Sequence, residues 1–440
     1  MLSYNGSENF APNNRYGFFP SVAAGWVISN EKFFEPLSGT IDYLKIRYSD
    51  GLVGSDSGAG RFSYLSRVEG ADGYTYGSNG GNGIGGIAET FTGVDVRWAE
   101  SRKRDLGIEV NAFNNDLRII VDLFTERTEG AFLRRSDIPN YIGLNSDPFG
   151  NLGVIDNKGF DGTIDYNTII AQELKLGFRG TFSYNKNKII ENGVPVQPFP
   201  WLDRRGTGLI ANVGYVAERL FTLEDDIDGD GFITPDDGFP TQFGQIQPGD
   251  IKYQDLNEDG QIDAFDRKVL GDGDVPALTY GFGITAQIKG FDFSAFFQGQ
   301  NFSDRFIGGA GIQPFLGDGG EGTFYEASLD RWTPENNDPY ATSPRLSFGS
   351  SSAGSNNNRQ NSTWWLRDID FLRLKTAELG YTLPVELTEK VGINNFRIYA
   401  RATNIFTISD FKIWDPELNT NNGSRYPNVS VVAVGGTFQF

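Results

Sequence analysis

The chain has 440 residues and a net charge of −19, and it contains neither histidine nor cysteine. Those absences exclude Ser-His and Cys-His nucleophile pairs, His or Cys metal sites and disulfides, while the acidic balance argues against a nucleic-acid partner, which needs a basic face. No run of 18 apolar residues occurs, so no transmembrane helix is expected, and 56 glycines with 14% aromatic residues suit strands and turn-rich loops.

In chain order, Phe18–Ser29 alternates Ala24, Trp26 and Ile28 against Ala23, Gly25 and Val27. Ile41–Ser49 interleaves Leu44, Ile46 and Tyr48 with Lys45 and Arg47. Asp50–Gly93 is rich in Gly, Ser and Asn with little periodicity, and reads as a long loop. Leu106, Ile108, Val110 and Ala112 then share one face. Asn114-Asn115-Asp116 turns the chain, and Leu117, Ile119, Val121 and Leu123 return it. After a loop at 134–157, strands follow at Phe160–Thr168 and Leu174–Tyr184.

Residues 186–276 form the largest excursion. Glu224–Asp274 holds fifteen acids against three bases, and the spacing of Val216, Leu220 and Leu223 predicts a short helix. Alternation resumes at Tyr280–Ile288, turns at Lys289-Gly290 and returns through Phe291–Phe297. A loop at 304–361 is expected to hold a helix around Tyr325, Leu329 and Trp332, stopped by Pro334. The last strands are Leu366–Leu383, Phe396–Phe406 and Val429–Phe440. In the first of these the apolar parity switches near Thr376, which predicts a bulge. In the last, Val432, Val434, Gly436, Phe438 and Phe440 share an uncharged face.

About eleven strands result. Ten residues at about 3.3 Å each, tilted by about 40°, cover roughly 25 Å, the height of an outer-membrane apolar band. Lys175, Arg179, Arg397 and Arg401 fall opposite the apolar faces, as a wet lumen requires. The expected fold is therefore all-β, an antiparallel transmembrane β-barrel with long extracellular loops. A large soluble β protein would also alternate, but its strands usually run about five or six residues. Trp364 and Trp365 suit either an aromatic girdle at the membrane boundary or sugar stacking, and the girdle is the expectation.

Several segments resemble the SusC/RagA family of TonB-dependent outer-membrane transporters. They are Asn13-Asn14-Arg15-Tyr16-Gly17-Phe18-Phe19-Pro20-Ser21-Val22-Ala23-Ala24-Gly25-Trp26, Ser183-Tyr184-Asn185-Lys186-Asn187-Lys188-Ile189 and Arg331-Trp332-Thr333-Pro334-Glu335-Asn336. The most specific are Trp364-Trp365-Leu366-Arg367-Asp368 through Leu379-Gly380-Tyr381-Thr382-Leu383-Pro384, and Asn404-Ile405-Phe406-Thr407 through Trp414-Asp415-Pro416.

The resemblance implies a 22-stranded barrel in a Gram-negative, Bacteroidetes-like outer membrane, of which residues 1–440 would be the C-terminal half. Leu2–Ser7 resembles the middle of a family strand, so a signal peptide, plug and first barrel half are expected before Met1. The implied partners are a SusD-like surface lipoprotein, the TonB–ExbB–ExbD complex acting through the missing N-terminal part, outer-membrane lipid, and a glycan or peptide substrate. Val429–Phe440 is expected to be an unpaired edge rather than a partner of Phe18–Ser29.

Two acidic segments of the 186–276 excursion have EF-hand-like spacing. At 255–266, oxygen ligands come from Asp255, Asn257 and Asp259, the backbone carbonyl of Gln261, and Asp266 at position 12, with Gly260 at the sharp turn. At 226–237 the same positions are Asp226, Asp228, Asp230, Phe232 and Asp237. Structural Ca2+ is expected in both. In each loop Asp replaces the usual Glu at position 12, which shortens that arm. The leading function is a nutrient-import component without enzymatic activity, not transport-competent as this chain alone. The alternative is a secreted calcium-dependent carbohydrate-binding or adhesion protein. A glycan-acting enzyme is disfavoured because no carboxylate pair is placed for acid/base work.

Overall fold

The computed structural model describes all residues except 59, 78–81, 92–93, 136–137, 139–147, 172, 317–323, 348–355, 390–391 and 440. Phe440, the expected terminal aromatic of the last strand, therefore lies outside the described residues. The chain divides into two compact units: residues 1–166, 183–197 and 204–209, and residues 167–182, 198–203 and 210–440.

The first unit is built on β1 (Leu2–Gly6), β2 (Tyr16–Val27), β3 (Ile41–Ser55), β6 (Ala99–Ala112), β7 (Leu117–Arg134) and most of β8 (Phe149–Ile170), hydrogen-bonded antiparallel in that order. β4 (Arg67–Tyr76) and β5 (Asn82–Phe91) form a separate two-stranded ribbon. This ribbon corrects the reading of 50–93 as an unstructured loop. Its glycines interrupt the apolar alternation on which a strand assignment from sequence rests, yet they do not prevent pairing. β9 (Leu174–Glu191) has residues in both units.

Pairing aligns the apolar faces into rows. Ala24, Tyr48, Leu106, Leu123 and Phe160 lie side by side across the sheet, as do Trp26, Ile46, Ile108 and Val121. These side chains stay in contact with the surroundings: Leu123 is 48% exposed and Trp26 50%. On the opposite face Arg47 bonds Asp122 at 2.7 Å and Glu109 at 3.2 Å, and Lys45 bonds Glu109 at 3.3 Å. Charge and hydrocarbon are thus segregated by face, which is the condition for a wall between lipid and water. Beyond the Leu106 row the apolar face changes character. The next rows on the same side carry Asp50 with Arg104, and Arg102 with Arg127 and Asp156. These strands run on past the apolar belt into an aqueous or headgroup zone.

In the second unit, β14 (Leu278–Ile288), β15 (Phe291–Asn301), β18 (Phe371–Thr382), β19 (Asn395–Thr403) and β21 (Val431–Gln439) pair antiparallel in that order, and β20 (Thr407–Ile408) adds to β18. One row reads Ala286, Phe293, Leu379, Ala400 and Val434. The expected bulge is present. Phe296 faces Thr376 and Phe297 faces Leu374, so Lys375 is the extra residue that brings Leu372 and Leu374 onto the face of Ala377 and Leu379. On the other face Arg397 is held by Asp292 and by Glu378. Among the described residues of this unit β21 pairs with β19 alone.

The register also sorts the connections. In the first unit the Phe113–Asp116 turn lies at one end, and the long connections after Ser55 and Arg134 lie at the other. In the second, Lys289-Gly290 turns tightly at one end, both residues left-handed. The connections 302–370 and 404–430 leave from the other end. Short turns on one side and long loops on the other is the asymmetry of outer-membrane barrels.

Candidate functional site in the loop cluster

The long connections of the second unit do not behave as solvated loops. They add the short strands β10 (Asn212–Gly214), β11 (Ala217–Leu220), β12 (Ile251–Tyr253), β13 (Lys268–Gly271), β16 (Asp304–Phe306) and β17 (Leu366–Asp368), which pair β10–β13, β11–β12 and β16–β17. Around these pairs lies a continuous buried core that includes Leu220, Ile251, Tyr253, Ile307, Trp332, Trp365 and Phe411. Burying one such side chain stabilises by about 1.5–3 kcal/mol.

Three expectations are corrected by this core. Val216, Leu220 and Leu223 do not share a helix: Ala217–Leu220 is a strand, because its backbone pairs with β12 and Leu220 donates its N–H to the Pro339 carbonyl at 2.8 Å. Only Leu223–Asp225 turns, as one 3-10 turn capped by Thr222 and Asp225. Around Tyr325, Leu329 and Trp332 the helix is limited to a 3-10 segment, Glu326–Asp330, and Trp332 beyond it is core. Finally, Trp365 is no girdle residue. It is buried, its indole N–H donates to the Asn358 carbonyl at 2.8 Å, and Trp364 packs beside the same core.

At the centre of this core sits a charge that no sequence pattern announces. Asp250 is fully buried, bonded by Arg345 at 2.8 Å and by the Asn358 side chain at 2.7 Å, and it accepts the Gln247 N–H at 2.9 Å. Burial pushes its carboxyl above the usual range, against the pull of Arg345. The partners lie about a hundred residues apart in sequence, so spacing carries no signal for them.

The two acidic loops occupy the edge of the cluster and adopt one geometry. Asp226 accepts the N–H groups of Gly229 and Gly231, both at 2.9 Å, and Asp255 accepts those of Glu258 and Gly260 at 2.7 and 2.9 Å. Asp228 and Asp230 accept from Asp230 and Phe232, while Asn257 and Asp259 accept from Asp259 and Gln261. At position 12, Asp237 clamps Ile227 and Thr234, and Asp266 clamps Leu256 and Asp263, with N···O distances of 2.7–2.9 Å. The sharp turns need left-handed backbone, and Gly231 and Gly260 supply it at φ 87° and 82°.

Ile233 and Ile262, apolar at position 8, are buried anchors. Carboxylate oxygens of Asp226, Asp228 and Asp237 lie within 4.8 Å of one another. The Asp230 N–H favours ionised Asp228, but desolvation and the neighbouring carboxylates outweigh it and raise that group. Burial raises Asp266, against the backbone N–H groups it accepts. The hard-oxygen donor set and the turn geometry fit calcium chemistry.

A two-faced antiparallel sheet with long connections at one end and short turns at the other defines a segment of a transmembrane β-barrel. No family profile matches the chain. It is 28% identical to TonB-dependent receptor P3 of Formosa agariphila over 461 residues, 99% of this chain and 43% of that protein. Against TonB-dependent receptor SusC of Bacteroides thetaiotaomicron it is 22% identical over 100% of its own length and 42% of the relative's. The fold matches a structure of the RagAB peptide transporter with a TM-score of 0.69 at 22% identity, covering 98% of this chain and 44% of that one. Over nearly its whole length the chain is similar to TonB-dependent receptors, and it spans less than half the length of the relatives it matches.

Proposed function

We propose that this chain supplies barrel wall and outer loop structure to an outer-membrane nutrient importer. That importer would take up oligosaccharides or peptides together with a SusD-like surface lipoprotein, energised through TonB–ExbB–ExbD. The observation that carries the reading is the two-faced sheet: apolar rows aligned across neighbouring strands, ion pairs on the reverse, and long connections confined to one end. The relatives, receptors and a transporter by name, support the same class. Fractionation tests it. The chain should sediment with the outer membrane, and a tag at Asp236 should be reached by protease on intact cells. Recovery as a soluble secreted protein would favour the calcium-dependent binding alternative and end the import reading.

Within that reading, loops 226–237 and 255–266 hold structural calcium that draws self-repelling carboxylates together. Calorimetric titration of the full chain should give two sites. Asp228→Asn should weaken the first and Asp259→Asn the second, and absence of binding at millimolar calcium would remove the metal from the account.

A further inference from the structure

Within the second unit, the segment after β16 and the segment 419–425 face each other across an open pocket of about 590 Å3, floored by the edge of Trp365. The pocket is a built feature rather than a gap between loose loops. Gly308 donates its N–H to the Asn421 carbonyl at 2.9 Å, and Ile307 donates to Trp365 at 2.9 Å. Buried Arg305 donates to the carbonyls of Leu418 and Thr420, fixing the far wall. A pocket of this size lies in the range that encloses a small ligand.

Its lining runs against the character of the chain. The protein carries net charge −19, yet among the described residues the lining of this pocket includes two arginines, Arg359 and Arg425, and no carboxylate. Asp415 and Glu417, shortly before Asn419, are committed to Arg373 and Lys375, and Asp304, shortly before Phe306, accepts from Asn212 and from the N–H groups of Asp272 and Gly273. The rest of the wall is dominated by carboxamides: Gln313, Asn361, Asn419 and Asn421 lie between the arginines. The side chains of Asn361, Asn419, Asn421 and Arg425 are exposed, so their donors and acceptors are open to a ligand. A carboxamide both donates and accepts, which matches the hydroxyl group, and guanidinium pairs with carboxylate in two-point fashion. The apolar wall is small: Ile307 and Trp365 are 4% and 5% exposed, and Phe306 is half-buried.

We propose that this pocket binds a short acidic oligosaccharide, its carboxylate on Arg425 and its hydroxyls on the carboxamides. The proposal deepens the import reading by naming the substrate class and rests on it only for the direction of transport. The test uses outer-membrane vesicles from cells expressing the full chain, titrated at fixed calcium with end-labelled trigalacturonate, maltotriose and triglutamate. Trigalacturonate should bind at least about tenfold more tightly than the other two, the scale set by a charge-assisted hydrogen bond. Arg425→Gln should abolish that preference, Arg425→Lys should restore part of it, and Asn421→Ala should weaken trigalacturonate without shifting its charge preference. Equal binding of the neutral sugar, tighter binding of triglutamate, or an unchanged preference in Arg425→Gln would each overturn the proposal. Should the chain be missing from the membrane fraction, the import reading fails, and the same titration on the soluble chain still decides the pocket.

Discussion

The strand walls and the loop cluster hide apolar surface in opposite ways. In the walls, Ile284, Phe293 and Val434 point away from the protein and are 43%, 42% and 77% exposed, while ionic partners such as Arg397 with Asp292 and Glu378 occupy the reverse face. In the cluster, Leu220, Ile251 and Tyr253 are buried against one another, and a charge, Asp250, lies in the middle. The walls need a hydrocarbon solvent to satisfy their apolar face, whereas the cluster carries its own. One chain thus contains a membrane fold and a water-facing one, and a given substitution should have different consequences in each.

The largest expected effect is on the cluster. Trp365→Ala removes a buried indole and its hydrogen bond to Asn358, at about 3–5 kcal/mol. Connections 302–370 and 404–430 should then be nicked by trypsin in membrane vesicles, while the strands stay protected. Equal loss of protection in β14 and β15 would mean that wall and cluster are one cooperative unit.

In the walls the sign of an effect should depend on parity. Ile284→Arg places a guanidinium on the apolar row and should cost about 2–4 kcal/mol if the row sits at mid-depth. Gln287→Lys, three residues on and facing the other way, should stay within about 0.5 kcal/mol. Membrane-inserted yield of the two variants reads the difference, and indistinguishable yields would count against a lipid-facing row.

This division explains what the sequence made legible. A period of two survives wherever one face meets a uniform medium, so the walls and the bulge at Lys375 could both be read from alternation. The cluster has no uniform medium. Leu220 is buried by Pro339 and β12 rather than by its neighbours in sequence, so a helix-like spacing there was coincidence. Trp365 read as a girdle because aromatic pairs near strand ends usually are; only its contact with Asn358 and the distant core residues shows otherwise. The turns of the acidic loops were legible because the residues that bond one another there lie within twelve positions in sequence. The pocket beside Arg425 was not, because its walls come from segments more than a hundred residues apart.

The smallest effect separates wall from cluster through pH. Asp415, in connection 404–430, reaches back to Arg373 at the head of β18, and Glu417 shares the same guanidinium at 3.2 Å. Desolvation alone would raise the Asp415 carboxyl. The bond from Arg373 and the backbone N–H of Glu417 outweigh it, and the group stays below the ordinary value of 3.8. A depressed carboxyl contributes stability that is fully present above that ordinary value and is lost as pH falls through the lower folded one. Asp415→Asn should cost about 1.5 kcal/mol near neutral pH, the lower end for a charged hydrogen bond because Glu417 remains to hold Arg373. The difference between variant and parent should begin to narrow as pH falls below the ordinary value of 3.8, and should close once pH passes the lower folded one. Hydrogen exchange in 404–430, followed from pH 6 to pH 3, would show the two converging. A gap that does not narrow at all between pH 4 and pH 3 would mean that Asp415 acts through packing and its hydrogen bonds as a neutral group, and that charge does not tie the cluster to β18.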